Sequence, residues 1–474
     1  MNQTVLSPKE VEKVFIDRDK IYDMLSSPPP SKTRVREILE TALKLKGLSL
    51  SEAAELLIIE DPDAIVEMLE AAGHVKQEIY GKRLVFFAPV YTGNTCVNNC
   101  LYCAFRRDNK ALKRVVLDMD QIRDEIECLL KEGHKRVLLI CGESNENPTE
   151  YMVEAIRTTY AARYKQHCIR RINLELAPTT VDNFAKLHAE KIGTYVCFQE
   201  TYDPELYTVY HKDGPKADYA YRLTVFDRAM LGGINDVGLG ALFGLADYRF
   251  EVLALLTHAA HLERTFGVGP HTVSVPRIEP AEGSEMSTNV PYPVSDEDFR
   301  KLVAIIRLAL PYTGIILTTR ESEEMRTELF KYGVSQISAG SRTNPGGYTE
   351  DTRGGEKTTG AQFSLGDHRS LDEVISCIID EGYIPSFCTG CYRKGRVGKD
   401  FMDLAKPGLI KQFCMPNALF TFKEYLEDFA HPETRERGER LVGKLVASIE
   451  PQQFAKEVQA GIDSVAAGKR DVYF

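Results

Sequence analysis

From Arg83 onward the chain alternates short apolar runs of strand type with stretches of helical period. Parallel strands need a crossover of a dozen or more residues, usually a helix, so this alternation commits the chain to a parallel sheet covered by helices. The strand candidates are 84–90, 136–141, 172–176, 194–198, 236–242, 272–276, 314–318 and 335–339. Helical stretches lie at 119–132, 150–164, 217–231, 248–266, 296–310 and 321–332, with a closing one at 371–381. Ser295 and the Thr319-Arg320 pair stand where helices should start. Eight strands point to an α/β fold, a (β/α)8 barrel of the TIM type, with an open doubly wound sheet as the alternative. Residues 1–82 read as an N-terminal helical extension, interrupted by Pro28-Pro29-Pro30, with helices from Lys32, from Ser51 as cap, and from Pro62. The barrel then spans 83–382, and 383–474 forms a cysteine-bearing C-terminal segment with a charged helical tail.

Composition narrows the class. With 474 residues, 43% apolar and 27% charged, the chain has the make-up of a soluble enzyme. A net charge of −10 argues against nucleic acid or an anionic membrane as main partner. Neither a secretory h-region nor a run of ~20 apolar residues is visible, so a cytoplasmic location is expected. The cysteine count of 11 is odd, unlike a secreted disulfide framework. Cys128, Cys141, Cys168, Cys197 and Cys377 mostly sit in apolar runs and read as packing.

Cys96, Cys100 and Cys103 form a C-x-x-x-C-x-x-C run with Tyr102 before the last cysteine. Three thiolates on one loop can hold three irons of a 4Fe-4S cube and leave the fourth without a protein ligand. An open iron can bind a small molecule and pass it an electron. A structural zinc loop is the competing reading, although zinc favours four ligands. The spacing resembles the signature of the radical S-adenosylmethionine (SAM) enzymes. That resemblance implies SAM on the open iron and reductive cleavage of its sulfonium to a 5′-deoxyadenosyl radical. In a barrel the loops after the strand C-termini build the active site, and this loop follows the first strand.

Other strand ends supply candidates. Gly142 and Glu143 follow the second strand and resemble the stretch that approaches the SAM ammonium, with Cys141 departing at its first position; a plain glycine turn is the alternative. Glu175 closes the third strand, and Gln199 and Glu200 close the fourth, with polar groups suited to ribose or substrate. Gly238 and Gly240 in the fifth would admit a flat adenine. Arg320, Ser341 and Arg342, after the seventh and eighth strands, are the candidates for substrate contact, since arginine suits bidentate carboxylate recognition.

Cys388, Cys391 and Cys414 make a second three-thiolate set, C-x-x-C-x22-C, read as a second cluster with an open iron; zinc or a redox pair are the alternatives. Together with the first loop, Gln199-Glu200-Thr201-Tyr202 and Gly340-Ser341-Arg342-Thr343, it makes the chain similar to the tyrosine lyases of FeFe-hydrogenase maturation, the HydG family. The related thiazole-biosynthesis tyrosine lyases, the ThiH family, lack the second cysteine set. The resemblance implies cleavage of the tyrosine Cα–Cβ bond to p-cresol and dehydroglycine, then carbon monoxide and cyanide. It also implies two 4Fe-4S clusters, the second carrying an additional iron on which an Fe(CO)2(CN) synthon is built. Its implied partners are L-tyrosine, a cysteine on the extra iron, an electron donor and other hydrogenase maturation proteins. A barrel histidine would help hold the extra iron, and His271, mapped to the catalytic side at the sixth strand, is the candidate. A lone histidine beside a strand is also a common core residue. An iron–sulfur carrier without catalysis is the remaining class.

Overall fold

A computed structural model describes residues 14–353 and 360–474. Eight parallel strands close into a barrel: β1 (Arg83–Gly93), β2 (Arg136–Cys141), β3 (Arg171–Glu175), β4 (Tyr195–Glu200), β5 (Val237–Ala241), β6 (Thr272–Ser274), β7 (Gly314–Leu317) and β8 (Gln336–Ser338). Closure comes from β1, which pairs β8 on one edge (Phe86 opposite Ile337) and β2 on the other (Ala88 opposite Val137). The strands are apolar on both faces because barrel interior and helical shell bury them alike.

A ninth strand, absent from the sequence reading, follows the closing helix: β9 (Ile384–Ser386). It pairs Leu84 with Pro385, below the point where β2 begins and on the edge opposite β8. Because β1 is 11 residues long, its lower half is free to take this extra strand. Only three residues form β9, too few to show a period. Its consequence is positional: the chain leaves it at Cys388, under the N-terminal mouth of the barrel.

The N-terminal helices pack outside the barrel, Pro62–Tyr80 against Asp296–Ala309 and Leu50–Leu57 against Tyr248–Phe266. At the other end the helix Lys411–Asp428 packs on β9, and one apolar core runs through all three regions. Some expected caps move. Ser49, not Ser51, caps its helix, in a reciprocal box with Glu52. Ser322 caps Glu323–Tyr332, which leaves Glu321 buried against Arg277 instead of opening the helix. The single helix expected over 217–231 is broken into Tyr219–Leu223 and Val225–Leu231. No helix among the described residues is long and apolar enough to cross a membrane.

Candidate functional site

The structure has two chemically distinct mouths, one at each end of the barrel. At the C-terminal end, the loop carrying Cys96, Cys100 and Cys103 is held by its own polar groups. The Arg114 guanidinium donates to the carbonyls of Asn94 (2.8 Å), Phe105 (2.8 Å), Arg106 (2.7 Å) and Asn109 (2.9 Å), closing the loop on itself. Asn98 Nδ2 donates to Glu143 Oε2 at 2.6 Å, and the Val97 amide donates to the Glu143 carbonyl at 2.8 Å. Gly142 and Glu143 thus sit directly against the cysteine loop. A side chain at Gly142 would run into the Thr95 carbonyl and the Cys96 Cβ. Gly142→Ala should therefore destabilise the protein by about 1–3 kcal/mol through overpacking, with the shift in Tm of the metal-free chain as the check; an unchanged Tm would show that the loop gives way freely.

Tyr102 is buried, and its hydroxyl meets His211 Nε2 at 2.8 Å. It lines a cavity with Cys103, Glu175, Glu200, Lys216 and Arg320. The Glu200 carboxylate is paired with Lys216 Nζ at 2.7 Å and lies 3.7 Å from Arg222. Glu200 adopts φ +71°, a left-handed conformation that a side-chain-bearing residue holds only under constraint. Burial, followed by the neighbouring Glu200 charge, raises the Glu175 carboxyl to about 7. Arg320 is enclosed, its guanidinium 3.3 Å from the Phe363 ring centroid, and it forms no ion pair among the described residues. Ser341 lines the adjoining space, and its buried Oγ lacks a partner.

Other candidates lie elsewhere. Arg342 pairs with Asp351 and bonds the Ser341 carbonyl at 2.8 Å, so it is a local brace and not a second arginine beside Arg320. Gln199 alternates away from Phe198 and Glu200, which both line the cavity, and its buried Nε2 has no partner. The space beside Gly240 is filled by the Phe198 ring, and Gly238 is closed by Thr272 and Val196. Neither glycine therefore leaves room for an adenine at its own Cα. Lys216, Gln362 and Phe363 carry no periodic signal in the sequence: Lys216 stands in a single 3-10 turn, and the other two stand in a loop.

At the opposite end, Cys388, Cys391 and Cys414 line one cavity with His271, Arg83, Arg136 and Tyr392. The expectation that His271 lies on the catalytic side is wrong. It precedes β6, and residues at strand N-termini face the far mouth. That position brings it to the second cysteine set. His271 Nε2 meets Tyr392 Oη at 3.2 Å, and its Nδ1 stands 3.5 Å from Asp236 Oδ1. Burial pushes the Cys391 thiol up to about 12, with Cys414 and Cys388 adding to it. The same cavity exposes buried cations to these thiols.

Both donor sets fit an iron–sulfur group. All six cysteines are free, with three at each mouth. At the upper mouth the amides of Asn98 and Gln362 each reach a cysteine sulfur, Cys96 and Cys103 respectively, at 3.7 Å. At the lower mouth, buried arginine nitrogens without partners offset the charge of thiolates.

Comparison with known proteins gives the family. Residues 90–254 match the radical SAM superfamily, and residues 274–384 match the biotin and thiamin synthesis associated domain. A crystal structure of HydG, a maturase of the [FeFe]-hydrogenase, superposes with a TM-score of 0.92 and 45% identity, over 99% of this chain and 100% of that one. The chain belongs to the HydG family. HydG from Carboxydothermus hydrogenoformans matches with a TM-score of 0.81 and 40% identity over 96% of this chain and 100% of that chain. The 2-iminoacetate synthase of Salmonella typhimurium is 29% identical over 351 residues, 73% of this chain and 89% of that protein. As a radical SAM enzyme the chain uses a 4Fe-4S cluster and SAM.

Proposed function

We propose that the two mouths carry two halves of one synthesis. The upper mouth cleaves the Cα–Cβ bond of L-tyrosine to p-cresol and dehydroglycine (2-iminoacetate). The lower mouth collects carbon monoxide and cyanide on an iron as an Fe(CO)2(CN) unit for the FeFe-hydrogenase. The observation that carries this reading is the second three-cysteine set beside His271, enclosed at the end of the barrel away from the first. HydG neighbours at 45% and 40% identity over nearly the whole chain support it.

When bound, the cluster held by Cys96, Cys100 and Cys103 supplies SAM with the electron that generates the radical. The chain's own groups place the reactants. Gly142 and Glu143 press the cysteine loop into position, and the Lys216–Glu200 pair presents fixed charges beside Tyr102. Arg320 is the group for the tyrosine carboxylate: half-buried, held against Phe363 and without an ion pair among the described residues. Phe198 and Phe363 offer apolar walls in the same cavity. At the lower mouth, Cys388, Cys391 and Cys414 would hold a second cube, and His271, backed by Asp236, would face the additional iron. L-Tyrosine, an electron donor, the cysteine on the extra iron and other maturation proteins complete the reading.

Reconstituted protein given SAM, reductant and tyrosine should release p-cresol, carbon monoxide and cyanide. Dehydroglycine with neither gas nor cyanide would favour the 2-iminoacetate synthase chemistry of the 29%-identical relatives instead. Arg320→Lys should weaken tyrosine binding more than SAM binding, by about 1.5–3 kcal/mol, because a point charge replaces a planar fork. Equal tyrosine affinity in the variant, measured by calorimetry, would remove Arg320 from the substrate site.

A further inference from the structure

The loop of Cys96, Cys100 and Cys103 has two faces, and only one belongs to the cavity. Cys103 lines that cavity with Tyr102, Glu200 and Arg320, the side that SAM and tyrosine fill. An electron for the first cluster has to arrive while this side is occupied, so it comes through the outer face of the loop.

That outer face is basic on an acidic chain. Residues 106–114 hold Arg106, Arg107, Lys110, Lys113 and Arg114 against Asp108 alone, whereas the whole chain carries −10. Arg114 is spent on backbone carbonyls inside the loop, and Arg107 pairs with Asp108 and Asp213. Lys110, Lys113 and Lys212 are exposed and form no ion pair among the described residues. Glu282 and Glu285 stand on the adjoining loop, which Arg106 grips through the Gly283 carbonyl at 2.9 Å, and they leave the rim net positive. These segments are fastened to the cysteine loop. The Arg106 amide donates to the Cys103 carbonyl at 3.2 Å and the Arg107 amide to the Asn98 carbonyl at 2.7 Å. On the other side the Asn99 and Leu101 amides donate to the carbonyls of Asp213 (3.2 Å) and Tyr210 (3.1 Å). From Cys103 to Arg106 the chain spans at most about 10 Å.

Solvated lysines are ordinary on a surface; their position is what counts here. An acidic protein is repelled by the chain as a whole and drawn to this rim, so charge alone turns it toward the first cluster. We propose that Lys110, Lys113 and Lys212 form the docking face for a small acidic electron-carrier protein. The inference rests on the electron donor of the proposed function, and adds the face that receives it and the charge it bears. The carrier is oxidised by one electron for each SAM cleaved. That electron reaches the sulfonium through the cluster, and the bond from sulfur to C5′ breaks to give methionine and the radical.

The test uses the full-length, reconstituted protein and an acidic 2Fe-2S ferredoxin as probe. Calorimetry measures binding of the oxidised ferredoxin, and 5′-deoxyadenosine is counted with limiting reduced ferredoxin or with excess dithionite. Lys110→Glu combined with Lys113→Glu should weaken binding and slow ferredoxin-driven cleavage, each about 10- to 100-fold at low salt. The deficit should shrink toward 1 M salt, where charges are screened within about 3 Å. Dithionite-driven cleavage should match wild type, since neither lysine lines the cavity. Lys444→Glu with Lys456→Glu makes the same charge change on exposed C-terminal positions and should leave ferredoxin binding at the wild-type level. Undiminished binding and cleavage in the rim variant would overturn the docking face. So would an equal loss in the C-terminal variant, which would make it an effect of net charge. A loss of dithionite-driven cleavage in the rim variant would overturn it too, by assigning the lysines to the cluster's own support. Binding is read without tyrosine, so this result stands apart from the identity of the substrate.

Discussion

Alanine at Cys96, Cys100 or Cys103 should abolish SAM cleavage outright, with 5′-deoxyadenosine falling to the level of the buffer control. The cube needs three thiolates from this one loop, and no fourth cysteine stands ready to substitute. Cys141, at the end of β2, is turned to another contact: its sulfur lies 3.8 Å from Met152 Sδ. The loss should be chemical and not a collapse of the fold. Arg114 and Asn98 keep the loop closed through backbone carbonyls and Glu143, contacts that do not involve sulfur. Circular dichroism and Tm should therefore stay near wild type while visible absorption from the first cluster disappears. Sustained 5′-deoxyadenosine production in any one of the three variants would sink the ligand assignment.

Much of this architecture was legible because it is periodic. The helices Met119–Glu132 and Tyr248–Phe266 fall on the expected limits, and the eight barrel strands lie within a few residues of them. What escaped the reading depends on pairing in space. Nothing in Ile384–Ser386 announces a strand; it becomes one because β1 leaves the lower half of an edge free. His271 shows the same limit from the other side. Its neighbours in sequence are ordinary strand residues, and its chemistry appears only when the strand's direction is set against the position of Cys388. Arg342 and Arg320 look equivalent as strand-end arginines. Packing separates them, since Asp351 draws one aside and Phe363 holds the other in the cavity. The sequence does carry one signal of the lower mouth: arginine opens each of the first three strands, a repeat that a barrel core gives no reason for.

Cys388→Ala combined with Cys391→Ala should split the chemistry in two. The two mouths share the barrel interior but no residue of one cysteine loop lines the cavity of the other. p-Cresol should therefore still form, since Arg320, Glu175 and the first loop are untouched. The lower cube, reduced from three thiolates to Cys414 alone, should not assemble, and iron content should drop by roughly half as one of two clusters is lost. Hydrogenase maturation should cease with it, because carbon monoxide and cyanide would have no iron to collect on. The fold should survive: Ser386 to Thr389 are anchored by Thr421 and Arg136 through backbone groups, not through sulfur. His271→Ala offers the finer cut. A neutral imidazole suits iron, and its removal should leave both cubes in place and deplete only the extra iron, by the same metal count. Maturation at wild-type yield by the double variant would reduce the second cysteine set to a structural role and end the two-mouth reading. Retained p-cresol with lost maturation is the outcome that the separation of the two cavities requires.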